Sequence, residues 1–136
     1  MASQYPTNVF FLVAEDVRHE IGHKISIAGL FSGNDINVHV EPENPGVPVL
    51  PKLTIIGFVR DGAGKFAGKV RVLTPAGNDL ISVHPVEFEK IEGQDAIIFI
   101  PIAPFVMTEF GKYEVSVMLD EKVYTHFFSV NSSQQQ

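Results

Sequence analysis

Cysteine and tryptophan are both missing from the 136 residues of this chain. Without cysteine there is no disulfide bond, no thiolate nucleophile and no cysteine-ligated zinc site. The lack of disulfides is typical of proteins that reside in a reducing compartment. We therefore expect a cytoplasmic protein.

Positive charge is scarce as well. The chain has 10 Lys and Arg against 16 Asp and Glu, which gives a net charge of -6, and the basic residues are spread singly along the sequence. Binding to a phosphate backbone requires a basic stripe or patch. The composition therefore argues against nucleic acid, and equally against a bare anionic membrane surface, as a partner.

Long hydrophobic runs are the third absence. The first apolar run, residues 9–14, is too short for the hydrophobic region of a signal peptide or for a membrane span, and no basic segment precedes it. The sequence thus predicts no secretory leader and no contact with a membrane.

No segment repeats apolar residues with the 3.6-residue period of a long helix. Apolar runs instead alternate with turns rich in Gly, Pro, Asn and Asp, which is typical of an all-β domain. We predict a single domain over residues 1–136, an antiparallel two-sheet sandwich of about eight or nine strands, with a barrel as the alternative. At most one short helical turn is expected, near residues 16–21, and residues 1–7 and 131–136 are expected to be flexible.

A glycine and a tyrosine mark the start of the last hairpin. The pattern Gly111-x-Tyr113-x-Val115 follows the loop after a very apolar strand and resembles the tyrosine corner of immunoglobulin-like sandwiches. In that corner the tyrosine hydroxyl bonds back to the loop that the chain has just left. The hairpin therefore predicts an immunoglobulin-like fold with structural roles for Gly111 and Tyr113, and a buried tyrosine without a corner is the alternative.

Four short motifs are spread over most of the chain. They are Ala14-Glu15-Asp16-Val17-Arg18, then the segment from Lys24 to Phe31, then Leu50-Pro51-Lys52-Leu53, and the closing Gly111-x-Tyr113 hairpin. With these motifs the sequence resembles an uncharacterised family of small bacterial proteins of unknown function with predicted β-sandwich folds. Because that family has no assigned activity, the resemblance implies a fold and no catalytic residues.

His19-Glu20-Ile21-Gly22-His23 matches the H-E-x-x-H signature of zinc peptidases. That chemistry needs a helix, on which His19 and His23 share one face and Glu20 acts as the general base. Gly22 disfavours a helix here, and the alternation of β-branched residues from Ile25 favours a strand. We therefore predict no metal site, no cofactor and no catalysis, and a zinc hydrolase is the least favoured alternative. A further histidine, His126, is expected to be a partly buried, hydrogen-bonded structural residue.

The segment 41–51 carries prolines at positions 42, 45, 48 and 51, which cannot donate ladder hydrogen bonds. We therefore predict a long loop that exposes Val47, Val49 and Leu50, and whose prolines keep the entropy cost of binding low. The sequence thus predicts a non-enzymatic binding or assembly module that acts through this loop on a protein partner or on a second copy of itself. Two alternatives stay open: a loop that only covers a sheet edge, and a protein that binds a small molecule such as a nucleotide or a sugar.

Overall fold

The computed structural model describes residues 4–22, 24–40 and 47–134. Within these ranges the chain forms eleven strands and one 3₁₀ turn, Ser32–Asn34. In chain order the strands are β1 (Val9–Glu20), β2 (Lys24–Leu30), β3 (Asp35–Val40), β4 (Val49–Leu50), β5 (Leu53–Val59), β6 (Gly64–Leu73), β7 (Asp79–Lys90), β8 (Ala96–Ile102), β9 (Phe105–Val106), β10 (Gly111–Leu119) and β11 (Lys122–Gln134).

Two sheets packed face to face make up the body of the fold. One sheet has the strand order β2-β1-β5-β8, the other has the order β3-β11-β10-β6-β7, and β4 and β9 form a separate two-stranded ribbon. Neighbouring strands are antiparallel except for β3 and β11, which are parallel. The predicted all-β sandwich is confirmed. It has more strands than expected, because the proline-rich segment and the chain after β8 each contribute a strand of two residues.

The core lies between the two sheets and follows the period-two alternation of the sequence. In β10 the inward residues Tyr113, Val115, Val117 and Leu119 are each at most 1 % exposed. Strand β5, in the interior of its sheet, is buried along almost its whole length. Each fully buried apolar side chain stabilises the fold by about 1.5–3 kcal/mol, so this alternation is the main source of stability.

Strand β1 extends further than the sequence suggests. The polar residues 15–23 predict a connection with a helical turn near residues 16–21, whereas β1 continues as a strand to Glu20 and pairs with β2 as far as Lys24. The predicted connection at residues 15–23 is wrong, because β1 is extended there; the described part has one short helical turn, which is the predicted maximum, but this 3₁₀ turn lies at Ser32–Asn34 and not near residues 16–21. The reason is that ladder hydrogen bonds form between backbone groups, so a half-exposed hairpin accommodates polar side chains.

Pro85 lies inside a continuous strand. The sequence predicts two strand segments interrupted at this proline, but β7 runs through it, with Pro85 opposite Lys69 of β6. Strand β7 is an edge strand of its sheet. A proline is tolerated there because its missing N–H is on the side that has no neighbouring strand.

The ends of the chain are held by the sheets to a greater extent than expected. Residues 131–134, predicted to be flexible, continue β11 and pair with β3. Near the other end, Gln4 and Ala63 exchange backbone hydrogen bonds of 2.9 and 3.0 Å, and the Thr7 N–H donates to the Asp61 carboxylate. Residues 1–3 and 135–136 of the two predicted flexible segments lie outside the described residues.

Candidate functional site

The His19–Glu20 pair lies on strand β1, whereas the sequence predicts a connection between two strands there; the prediction that it does not lie on a continuous helix is confirmed. His19 is opposite Ile25 in the β1–β2 ladder, and its ring meets the Phe99 ring edge-on at 4.9 Å between centroids. Successive strand residues point to opposite sides, so His19 and Glu20 do not face a common atom. His23 lies outside the described residues. In the ranges that are described, no three His, Asp or Glu side chains are grouped so as to hold a metal ion.

The proline-rich segment forms one strand of the β4–β9 ribbon. Val49 is opposite Val106 and Leu50 is opposite Phe105. The ribbon is extended by a hydrogen bond of 2.9 Å from the Met107 N–H to the Pro48 carbonyl oxygen. The segment thus has an ordered backbone from residue 48 onward, and its residues 41–46 lie outside the described part.

The two faces of this ribbon differ sharply. Val47, Val49 and Val106 are 56 %, 52 % and 37 % exposed, whereas Phe105 is fully buried and Leu50 packs against the core. We call Val47, Val49 and Val106 the valine face. Of the three residues predicted to be exposed, Val47 and Val49 are, and the prediction for Leu50 is wrong because residues that alternate along a strand point to opposite sides.

Val106 is the member of the valine face that sequence reasoning missed. Its neighbours Phe105 and Met107 are buried, at 0 % and 3 % exposure. The alternation Phe105-Val106-Met107 was the available signal, because it places Val106 alone on the outer side of a short strand. The alternation does not predict that this strand, β9, pairs with β4 of the proline-rich segment.

Aromatic packing and a hydrogen-bonded loop anchor the valine face to the core. The Phe105 ring meets the Tyr113 ring edge-on at 5.6 Å, and Tyr113 stacks on Phe128 at 5.1 Å. The Tyr113 hydroxyl donates to the Glu109 carbonyl oxygen at 2.7 Å, and burial raises the pKa of this hydroxyl. The ribbon is therefore presented on a rigid base.

Gly111 and Glu109 hold the loop between β9 and β10 against residues 75–76. Gly111 has φ = +132°, and a Cβ there would lie 3.2 Å from the Cβ of Pro75. The Glu109 carboxylate accepts a hydrogen bond of 3.0 Å from the Ala76 N–H. The loop that leads from β9 to β10 is thus tied to the turn between β6 and β7.

A cleft of about 490 Å³ lies where β1, the 3₁₀ turn and β11 meet. Phe10 and Phe31 line it together with Thr125 and His126. His126 is partly buried, its ring stacks on Phe11 at 5.3 Å, and its Nε2 lies 2.9 Å from Asn34 Oδ1. Burial lowers the pKa of His126. The prediction of a hydrogen-bonded, partly buried histidine is confirmed.

No protein-family model matches the chain, and no curated protein sequence matches it either. The resemblance to an uncharacterised bacterial family therefore stays a prediction. Among the described residues there is no helix of the length and apolar character needed to cross a membrane.

Proposed function

We propose that this protein is a non-enzymatic binding module that holds a protein partner through the valine face. The observation that carries the proposal is the exposure of Val49 and Val106, which lie opposite each other on an ordered ribbon, together with that of Val47 two residues before Val49. Covering the exposed part of Val47, Val49 and Val106 would contribute about 2 kcal/mol to binding. That corresponds to a factor of about 30 in the dissociation constant.

The anchoring of the ribbon supports the same proposal. A surface that is already ordered loses little conformational entropy when it binds. Phe105 and Met107, which flank Val106, are both buried, so the outward valine does not need to rearrange. With a net charge of -6 and no basic cluster, the partner is a protein surface and not a nucleic acid or an anionic membrane.

We further infer an immunoglobulin-like relationship for the sandwich. Support comes from the hydrogen bond that the Tyr113 hydroxyl donates to Glu109, four residues earlier, at the entrance to the penultimate strand of the chain. Domains of this architecture carry binding sites on loops at the ends of the sheets. The ribbon of β4 and β9 lies in two such connections.

Site-specific photo-cross-linking in the cells that express the protein tests the valine face. A photoreactive amino acid at position 49 or 106 is expected to give a discrete cross-linked species of higher mass. Val123 is the matched control, because it is a valine on another surface with 58 % exposure. Cross-linking at position 123 as strong as at positions 49 and 106, or none at 49 and 106, would contradict the proposal.

The cleft beside His126 favours a second candidate function, the binding of a small molecule. Its lining residues include Phe10, Phe31 and Thr125, and such a mixture of aromatic and polar residues suits a nucleotide base or a sugar. A ligand held there would raise the melting temperature. A thermal-shift screen with nucleotides and sugars tests this function, with Phe10→Ser as the variant that should lose the shift.

A further inference from the structure

Strand β8 is an open edge of the four-stranded sheet, since it pairs with β5 alone. Over residues 4–22, 24–40 and 47–134, no hydrogen bond reaches its other side. Its sequence, Ala-Ile-Ile-Phe-Ile-Pro-Ile, contains no charged residue. An apolar edge of this kind is a template for pairing with another strand.

The hydrogen bonds of the sheet determine which backbone groups of β8 point outward. The Val13 carbonyl accepts a bond from the Phe31 N–H on the β2 side, so the backbone groups of the next residue, Ala14, point to β5. Ala14 is opposite Thr54, and Thr54 is in turn opposite Pro101. Because Thr54 directs its N–H and C=O toward Ala14, Thr54 and Pro101 form no backbone hydrogen bond with each other, and the backbone of Pro101 faces the open edge. The missing N–H of this proline therefore costs no hydrogen bond to β5.

The same alternation places the backbone groups of Phe99 and Ile97 on the open edge. Residues two apart on a strand direct their N–H and C=O groups to the same side. The open edge therefore offers donors and acceptors at Ile97 and Phe99, and an acceptor alone at Pro101. Phe99 lies midway between the other two, so this pattern is complementary to itself when a second copy is turned by a half rotation about Phe99.

The other three edge strands of the two main sheets carry features that oppose pairing. Strand β2 begins with Lys24 and is distorted at Gly29, where φ is +69°, and β3 begins with Asp35. Strand β7 contains Glu87 and Glu89. Charged residues and local distortion of an edge strand prevent it from pairing with the edge strand of another molecule. Strand β8 has no charged residue, and its single proline, Pro101, needs only to accept a hydrogen bond when two copies of β8 pair.

We propose that two copies of this chain associate through antiparallel pairing of their β8 strands about Phe99. The two Phe99 residues exchange both backbone hydrogen bonds, and the Ile97 N–H of each copy donates to the Pro101 carbonyl of the other. The two four-stranded sheets join into one continuous sheet. A second copy is the fitting occupant because the outward backbone donors and acceptors of β8 are complementary to themselves about Phe99. The net charge of -6 opposes association of two copies in general, but β8 itself has no charged residue that would face a like charge across the new strand pair.

Sedimentation equilibrium of the full chain tests the dimer. The wild-type mass is expected to rise from 15.0 kDa toward twice that value with concentration. Ile97→Pro removes an outward N–H without removing a bond to β5, and we expect it to weaken dimerisation at least about tenfold. Glu87→Pro is the matched control, because it removes an N–H on the same side as that of Pro85 from the edge strand β7 and should leave the dimer intact.

Hydrogen exchange of the wild-type protein provides a readout that does not depend on how any variant folds. The Ile97 and Phe99 amides should become protected as the concentration rises, while the Glu87 amide should exchange equally fast throughout. A wild-type chain that stays at 15.0 kDa up to about 100 µM would overturn the proposal. A dimer in which the Ile97 and Phe99 amides exchange freely, or one that a folded Ile97→Pro variant forms unchanged, would overturn it too.

Discussion

Tyr113→Phe is the most direct test of how the valine face is anchored. The substitution keeps the ring that stacks on Phe128 and packs against Phe105, and removes only the hydroxyl. Tyr113 is 1 % exposed, so the Glu109 carbonyl oxygen loses a donor that water does not readily replace. The lost bond and the unpaired acceptor together should lower the free energy of unfolding by about 1–2 kcal/mol.

Urea denaturation and calorimetry measure this loss. For a chain of 136 residues, a change of that size lowers the melting temperature by about 3–8 °C. Tyr5→Phe is the matched control, since its hydroxyl donates to Asp120 at the surface and should contribute less. Equal losses for Tyr113→Phe and Tyr5→Phe, or no measurable loss for Tyr113→Phe, would refute the anchoring role of the Tyr113–Glu109 bond.

Three further predictions concern packing, pH and metal. Gly68→Ala should destabilise the fold by about 1–3 kcal/mol in urea denaturation, because the added Cβ would clash with the Met118 carbonyl oxygen. A loss below about 0.5 kcal/mol would contradict this close approach. Burial lowers the pKa of His126 in the folded protein below its unfolded value of 6.5. The contribution of neutral His126 to the free energy of unfolding is therefore fully present above pH 6.5 and is lost as the pH falls below 6.5. His126→Gln should make the stability less dependent on pH in this range, and an unchanged pH dependence would exclude His126 as the cause. EDTA should leave the melting temperature unchanged, whereas a fall in melting temperature together with peptidase activity that Glu20→Gln abolishes would favour the zinc hydrolase.

The alternation of apolar residues was sufficient to predict the class of the fold. Tyr113, Val115, Val117 and Leu119 fall on one parity of the sequence, and all four are buried. The same alternation from Ile25 onward predicts that no continuous helix carries the His19–Glu20 pair, and β1 confirms this. Both predictions could be made from the sequence because the side chains of any β-strand alternate between its two faces, whichever strand it pairs with.

The extents of the strands were predicted less well, because pairing partners decide them. Residues 15–20 are polar except for Val17, yet they form a strand since β2 folds back beside them. Pro85 was expected to interrupt a strand, and it is tolerated since β7 happens to lie at an edge. Residues 131–134 were expected to be flexible, and they pair with β3, which is almost a hundred positions away in the sequence. None of these outcomes follows from the local sequence.

The candidate site was likewise predictable from the local sequence only in part. The prolines of segment 41–51 indicated an extended segment outside the main sheets, and this located Val47 and Val49. That Leu50 turns inward and Val106 outward depends on the ribbon formed with Phe105 and Val106, two residues that lie more than fifty positions further along the chain.

The amino-acid sequence alone establishes an all-β chain with an acidic surface, because strand periodicity and net charge are properties of consecutive residues and of composition. Only the tertiary structure establishes which strands are edges and which apolar side chains stay exposed. The reason is that both depend on pairing between distant segments. Strand β8 is the most apolar of the long strands and would be expected in the centre of a sheet, yet it lies at an edge, because β5 is its one partner among the described residues.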